Sequence, residues 1–541
     1  MFDNKKIKPQ DIGNSSDEQL VKLKQEELMD LPAPYDKPEM EPELTEPKDE
    51  WKEEYCTLLD GYVGIDTLTR PKTKEEEEDL VKKFLNGLEK AFSDETNRNY
   101  IQPLLLSFEY CAKCNTCSDA CHVYQASGKN ELYRPIFRSE VFRRLAKQHL
   151  EKKEGFWKKF IGADIDLDWR TVARLGELAY RCNLCRRCAQ TCPLGLDNGL
   201  LAREIRKIFS QELGIAPKPL HEKGTMLQLK TGSSTGITKP ALLDMIEFIE
   251  EEIEDRTGKQ IKIPVDKKGA DILLTHNAGE FMSWPENPAA FAIIFEEAGL
   301  DWTLSSDMIG YDNVNYGLFY DDAQAKKIAL EQFKAAKRLG VNRIVIGECG
   351  HAHKAAAVSA NRMVSGEDNI PVESFLPLLR DLVVNKKLKL DPSKNDFPVT
   401  LHDPCNVVRM MGIVKPQRDI LKAIAPQFRE MTPNGVRNFC CGGGSGFAIM
   451  NYMNFPEWRN KVSSRMKFKQ VLEAFKDTAD KPDIPKYICA PCSNCKGAMR
   501  DILEYYEATE KFNIHYGGLV ELVVNALADL EEPFIDFDEA L

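Results

Sequence analysis

The sequence has no apolar run of eighteen residues, so no membrane-spanning helix is expected. Its first residues, MFDNKKIKPQDIGNSS, carry no apolar stretch of the kind a secretory signal needs, so secretion is not expected either. It has no surplus of positive charge. Lys and Arg number 73 against 85 Asp and Glu, a formal net charge of −12, which argues against a nucleic-acid-binding role. A dinucleotide fingerprint is missing as well. The one glycine-rich stretch, GGGSGF, puts Phe447 where the third glycine of G-x-G-x-x-G belongs, and two cysteines precede it. Residues 1–50 are poor in aromatics, rich in Glu and Pro, and hold 14 acidic against 7 basic side chains. Such a segment buries too little apolar surface to fold alone. Residues 1–70 therefore read as an acidic, Pro-rich extension, either disordered or ordered on a partner.

What remains is a 541-residue chain with 43% hydrophobic and 29% charged residues, long enough for several cores. It holds sixteen cysteines. In the reducing cytoplasm that the absent signal implies, these are metal ligands or redox groups rather than structural disulfides. Eight fall in two runs of one spacing. The first is Cys111-x2-Cys114-x2-Cys117-x3-Cys121; the second is Cys182-x2-Cys185-x2-Cys188-x3-Cys192, followed by Pro193. This is the spacing of two-cluster ferredoxins. Three thiolates on one tight loop reach three corners of a 4Fe–4S cubane. The fourth, three residues on, starts a helix that points away and reaches the other cluster. The expected pairing is crossed: Cys111, Cys114, Cys117 and Cys192 hold one cubane, and Cys182, Cys185, Cys188 and Cys121 hold the other. Zinc is the competing ligand, but structural zinc prefers separated Cys-x-x-Cys pairs. In the first run His122 stands in the proline's place. Arg181, Arg186 and Arg187 flank the second run, either as solvated surface charge or as cations favouring the reduced cluster.

The segment between the runs reads as helical, so residues 71–225 are expected to form an α-helical ferredoxin domain. Residues 226–269 read as a linker and an amphipathic helix, KPALLDMIEFIEEEIEDRTG. From about 270 short strands alternate with helices, an α/β pattern, with a weak internal repeat. ADILLTHNAG parallels FPVTLHDPC; AAFAIIFEEAGLDWTL parallels QRDILKAIAPQFREMT; VNRIVIGECGHAHKAA parallels PKYICAPCSNCKGAMR. The fold class expected is α+β multidomain, with the helical ferredoxin domain followed by two pseudo-repeated α/β lobes, a degenerate one at 270–390 and a complete one at 391–515. Residues 516–541 read as a C-terminal helix and acidic tail.

The complete lobe carries the third cysteine group: Cys405, then Cys440–Cys441–Gly442, then Cys492-x2-Cys495. Side chains of adjacent cysteines diverge, so they suit different irons of one cluster better than a single ion. The glycines after them let backbone approach such a cluster closely. This arrangement resembles the CCG signature of the heterodisulfide reductase family. The two ferredoxin runs ahead of it resemble the D subunit of the membrane-bound enzyme, with likeness to the K subunit of the Dsr membrane complex and the B subunit of the Tmc complex. The resemblance spans roughly residues 105–505.

The resemblance implies a non-cubane 4Fe–4S cluster on Cys405, Cys440, Cys441, Cys492 and Cys495, in addition to the two cubanes. Cys489 is an alternative ligand to Cys492, or a residue at a strand end. Cys349, alone in the degenerate lobe, faces either the same cluster or a buried core; with His351 and His353 it is the candidate for thiol exchange and proton delivery. His276 and His402 end equivalent strands and read as structural. Cys56 reads as packed in a helix. The implied activity is reduction of a disulfide or related polysulfur bond, with electrons from a membrane cytochrome b-type subunit that draws on quinone. The substrate would be a DsrC-like sulfur-carrier protein or a small disulfide. The implied location is the cytoplasmic face of the membrane, held there by a partner subunit. The alternative is an electron relay without disulfide chemistry, as in the iron–sulfur subunits of glycolate or lactate oxidases.

Overall fold

A computed structural model of the chain describes residues 64–150, 165, 167–360, 364, 370–450, 454–455 and 458–537. The acidic extension up to residue 63, with Cys56, lies outside them. Among the described residues no helix is long and apolar enough to cross a membrane. The chain divides into two compact units. The first runs to His221 and adds Phe319–Asp322 and Gly442–Lys467; the second takes Glu222–Leu318, Ala323–Cys441 and Phe468–Leu541.

The first unit is helical. Helix α1 (Lys74–Ala91) starts where the Thr73 side chain accepts the Glu76 N–H, and it buries Leu80, Phe84 and Leu88. Then come α2 (Ile101–Glu109), α3 (Pro135–Leu150), α4 (Trp169–Tyr180) and α5 (Asn198–Leu213), the last ended by Gly214 at φ +67°. Glycines let these helices meet closely. A Cβ at Gly87 would sit 2.5 Å from the Ile208 side chain, and one at Gly176 would sit 2.5 Å from the Phe209 ring. Trp458, from the segment that returns after Gly442, packs on Tyr133 with ring centroids 5.2 Å apart. Short five-residue helices carry the cysteine runs on this scaffold.

The second unit opens with α6 (Lys239–Thr257), closed by Gly258 at φ +67°. Two four-stranded parallel sheets follow. In the first, β1 (Ile272–Thr275), β2 (Trp302–Thr303), β3 (Arg343–Ile346) and β4 (Val372–Ser374) stand in the order β2-β1-β3-β4. In the second, β5 (Val399–Leu401), β6 (Phe428–Arg429), β7 (Lys486–Cys489) and β8 (Ile514–Gly517) stand in the order β6-β5-β7-β8. Helices α7 (Glu286–Glu297) and α8 (Asp322–Leu339) connect strands of the first sheet and α9 (Phe375–Val384) follows its last strand; α10 (Pro416–Ile424) and α11 (Ser493–Tyr505) connect strands of the second and α12 (Leu519–Asn525) follows its last strand. The central strands β1, β5 and β7 are buried throughout and β3 is buried except at Arg343, as parallel sheets covered on both faces require. One apolar core joins both sheets through Leu274, Phe291, Val345, Val399, Leu401, Tyr487 and Val523.

Candidate iron–sulfur sites and the family of the chain

In the first unit both cysteine runs wind the same way. Lys113 and Asn115 in one, and Leu184 and Arg186 in the other, take positive φ of 54°, 67°, 50° and 61°. These are the second and fourth positions after the leading cysteine of each run. Alternating handedness coils the backbone tightly, so three side chains turn toward one point, and non-glycine residues hold this geometry only where surroundings enforce it. The fourth cysteine of each run, Cys121 and Cys192, closes the five-residue helix that follows the loop; Cys121 also opens the next, His122–Ala126.

A cavity in this unit is lined by Cys111, Cys114, Cys117 and Cys192, with Lys113, Glu140 and Arg143 at its wall. Cys121, by contrast, shares its field with Cys182, Cys185 and Cys188. Burial pushes the Cys117 thiol up to about 11 and Cys121 to about 12, and drives Cys188 well above its usual range. Buried and neutral on their own, these thiols would give up their protons on binding iron, which would take the thiolate charge. The donor set of each quartet fits a 4Fe–4S group. Cys114 is exposed, and a hydrogen bond with Thr116 Oγ1 at 3.2 Å lowers its pKa.

His122 links the two runs. Its buried Nε2 donates to Asn183 Oδ1 at 2.9 Å, and Asn183 Nδ2 donates to the Gly442 carbonyl at 2.9 Å. The three arginines flanking the second run are mostly committed elsewhere. Arg181 pairs with buried Glu177, Arg186 pairs with Asp197 at 2.5 Å, and Arg187 donates to the Ala120 carbonyl.

In the second unit the remaining cysteines gather beyond the carboxyl ends of β3, β5 and β7, the place where open parallel α/β sheets bind ligands. Cys441 Sγ lies 3.2 Å from Cys495 Sγ. His402, just after β5, has a ring nitrogen within 4.8 Å of both sulfurs. Asn438 Nδ2 donates to the Asp403 carbonyl at 3.0 Å and faces His402 Nδ1 at 3.4 Å. Nδ1 is therefore the acceptor, and the ring proton sits on Nε2. Hydrogen bonds from Cys440 and then Cys495, with His402 beside them, hold the Cys441 thiol well below its usual range. Asp403 is fixed from below: Arg418 grips both its oxygens at 2.8 Å, and the Gly435 N–H adds a bond of 2.6 Å. Arg418 also reaches Glu430.

Cys349 joins this group from the first sheet. The Gly350 N–H next to it donates to Cys492 Sγ at 3.3 Å, and the Ser493 N–H donates to the Glu348 carbonyl at 2.7 Å. Burial drives the Cys349 thiol far above its ordinary value, and the Cys492 sulfur adds to the rise. The turn after Cys405 packs on the turn after Cys349. Cys489 ends β7 inside the apolar core, neutral through burial and the adjacent Glu348 carboxyl.

The two histidines expected to deliver protons sit differently from that expectation. Burial pulls His351 down to about 3 and His353 to about 4, so both are neutral at pH 7. His351 Nε2 donates to the Asn315 carbonyl at 3.1 Å. His353 Nδ1 donates to the Cys349 carbonyl at 2.8 Å while its Nε2 accepts from Ser374 at 2.8 Å. Their N–H groups hold the Cys349 loop. The buried acid near this end of the sheet is Glu348, which burial raises to about 8. His276 packs edge-on against Phe291 at 5.1 Å and meets Glu280 at 3.3 Å, a structural position. Sequence reasoning misses Asn183, Asn438 and Glu348 because single polar residues carry no spacing signal.

Two family models match the chain: a 4Fe-4S dicluster domain over residues 107–196 and a cysteine-rich domain of the CCG type over 399–500. The chain is similar to the Hdr-like menaquinol oxidoreductase iron–sulfur subunit 2 of Archaeoglobus fulgidus, at 26% identity over 475 residues, covering 80% of this chain and 81% of the relative. It is also similar to the D subunit of the dihydromethanophenazine:CoB–CoM heterodisulfide reductase of Methanosarcina acetivorans, at 26% identity over 438 residues, 80% of this chain and 96% of the relative. An EtfAB:quinone oxidoreductase of Syntrophomonas wolfei matches at 21% identity over 449 residues, 76% of this chain and 57% of that protein. Iron–sulfur models at both cysteine groups and relatives of this type along four-fifths of its length together support an HdrD-like family for the chain.

Proposed function

We propose that this chain is the catalytic iron–sulfur subunit of a complex that reduces a disulfide or related polysulfur bond, built as a helical ferredoxin unit followed by two pseudo-repeated lobes. Cys111, Cys114, Cys117 and Cys192 hold one cubane; Cys182, Cys185, Cys188 and Cys121 hold the second. Cys405, Cys440, Cys441, Cys492 and Cys495 hold a non-cubane cluster. When bound, these groups supply one-electron transfer in series and iron sites open to an incoming sulfur. The observation that carries the reading is the packing of sulfurs at the strand ends, with Cys441 and Cys495 3.2 Å apart and Cys349 beside Cys492. The equal strand orders of the two sheets support the repeat.

The chain's own residues do three things here. His402 places a ring nitrogen within 4.8 Å of the Cys441 and Cys495 sulfurs, with Asn438 setting its tautomer. Cys349, neutral in its buried loop, is a thiol held beside the site, kept in place by His351 and His353. Glu348 stores a proton at neutral pH one residue away. A membrane quinone or cytochrome b partner delivers the electrons, by analogy with the menaquinol oxidoreductase and heterodisulfide reductase relatives. Similarity to the EtfAB:quinone oxidoreductase keeps a second reading, an electron relay without disulfide chemistry. Iron and labile-sulfide analysis of anaerobically purified protein is expected to give about twelve irons per chain, four for each of three clusters. Thiol treatment of the oxidised protein is expected to produce a paramagnetic signal, and the chemically reduced protein is expected to consume a disulfide. About eight irons with no thiol-dependent signal leaves only the relay.

A further inference from the structure

The first unit contains a buried cation whose charge no side chain among the described residues balances. Arg206, on α5, is fully buried. Its donors go to neutral oxygens: the Ala179 carbonyl at 2.9 Å, the Cys182 carbonyl at 2.6 Å, and Ser445 Oγ at 2.5 Å. Tyr180 lies under the guanidinium, 4.5 Å from ring centroid to Cζ. Among the described residues no carboxylate forms an ion pair with Arg206. Three nearby arginines meet carboxylates, Arg181 with Glu177, Arg186 with Asp197 and Arg203 with Glu204, while buried Arg138 also donates to carbonyls, those of Leu178 and Asn198. A buried charge without a partner is rare, because desolvation penalises it heavily. The acidic neighbours of Arg206 are the Tyr180 phenol, which burial keeps neutral, and the Cys182 thiol.

We propose that the Arg206 guanidinium is the counter-cation of the iron–sulfur group held by Cys182, Cys185, Cys188 and Cys121, and that it raises that group's reduction potential. The inference rests on the ligand assignment above. A thiolate-ligated cluster is an anion that gains one further negative charge on accepting an electron. A fixed cation one hydrogen bond from a ligand's backbone, in a medium that screens poorly, stabilises the reduced form more than the oxidised one. Net charge and surroundings are the levers by which a protein sets such a potential. An arginine guanidinium keeps its charge at neutral pH. Arg181 and Arg186, next to the cysteines in sequence, meet carboxylates; Arg206 arrives from a helix 24 residues on.

The test is an EPR-monitored potentiometric titration, with dithionite and mediators, of the anaerobically purified full chain as wild type, Arg206→Gln and Arg206→Lys. Arg206→Gln is expected to lower the reduced-to-oxidised ratio of one cubane at least tenfold at fixed potential, a midpoint shift of about 59 mV, with the other cubane unmoved. Arg206→Lys, which keeps the charge, is expected to restore most of it. Loss of that one cubane in Arg206→Gln with retention in Arg206→Lys also supports the role. Unchanged midpoints with both cubanes present overturn it, as do equal shifts, or equal cluster loss, in both variants, which would mean hydrogen bonding rather than charge. Wild-type protein lacking labile sulfide would instead sink the ligand assignment itself.

Discussion

Glu348 offers the most direct quantitative test of the second unit. It is fully buried between β3 and the Cys349 loop. Its Oε1 accepts the Leu519 and Val520 N–H groups at 2.7 and 3.1 Å, and its Oε2 faces Asn287 Nδ2 at 2.9 Å. Desolvation raises its pKa from 4.5 to about 8, with Lys496 opposing and Glu521 reinforcing the rise. The fold therefore favours the neutral carboxyl. That stability is fully present below pH 4.5 and is lost as pH climbs through 8. At 1.36 kcal/mol per pH unit, the full loss is about 5 kcal/mol, of which about 3–4 kcal/mol falls between pH 5 and pH 8. Glu348→Gln mimics the neutral form. Asn287 Oδ1 has no partner among the described residues, so this amide turns over to accept from the new Gln amide. The variant is expected to match wild type within about 1 kcal/mol at pH 5 and to exceed it by roughly 3–4 kcal/mol at pH 8. Guanidinium unfolding at pH 5, 6.5 and 8, followed by tryptophan emission, measures the difference. Parallel pH curves for the two proteins would refute the reasoning.

Three further outcomes are expected. Gly350→Ala places a methyl carbon 3.0 Å from Cys492 Sγ; it should disturb the third cluster's EPR signal while leaving both cubanes intact, at about 1–2 kcal/mol of stability, and an unaltered signal counts against Cys492 as a ligand. Glu177→Ala strips buried Arg181 of its counter-charge and leaves the Ile65 N–H without its acceptor; it should destabilise the helical unit by about 3–5 kcal/mol, read as earlier thermal loss of cubane absorbance. Cys441→Ser should drop iron content by about four atoms with both cubanes still reducible, and a retained thiol-dependent signal would contradict the ligand set.

What was legible in the sequence is local. Four cysteines at x2, x2, x3 read as a ferredoxin loop, and the left-handed residues at Lys113, Asn115, Leu184 and Arg186 are the backbone that spacing demands. Helix α6 was legible as the amphipathic stretch KPALLDMIEFIEEEIEDRTG. What escaped depends on tertiary burial. His351 and His353 look like acids for neutral pH until the fold encloses them and pulls their pKa values down. Arg181 and Arg186 look like cluster-tuning charges until Glu177 and Asp197 meet them; the Glu177–Arg181 pair at least had four-residue helical spacing to betray it. Nothing in the residue pattern of 442–467 signals that they belong with the helical unit. There Gly442, at φ +89°, sits where a Cβ would lie 2.1 Å from Ser464 Oγ, so its glycine answers to local packing as well as to any cluster.

That returning segment has a practical corollary. The polypeptide threads from one unit to the other at His221, again around Phe319–Asp322, and again around Gly442–Lys467. Neither half is a bead on a string. A fragment stopped after His221 would forfeit Trp458 from its face of Tyr133, Phe455 from beside Arg181, and the Ser445 hydroxyl from Arg206. Recombination by a single crossover between such proteins would break both units, so the two must be inherited together.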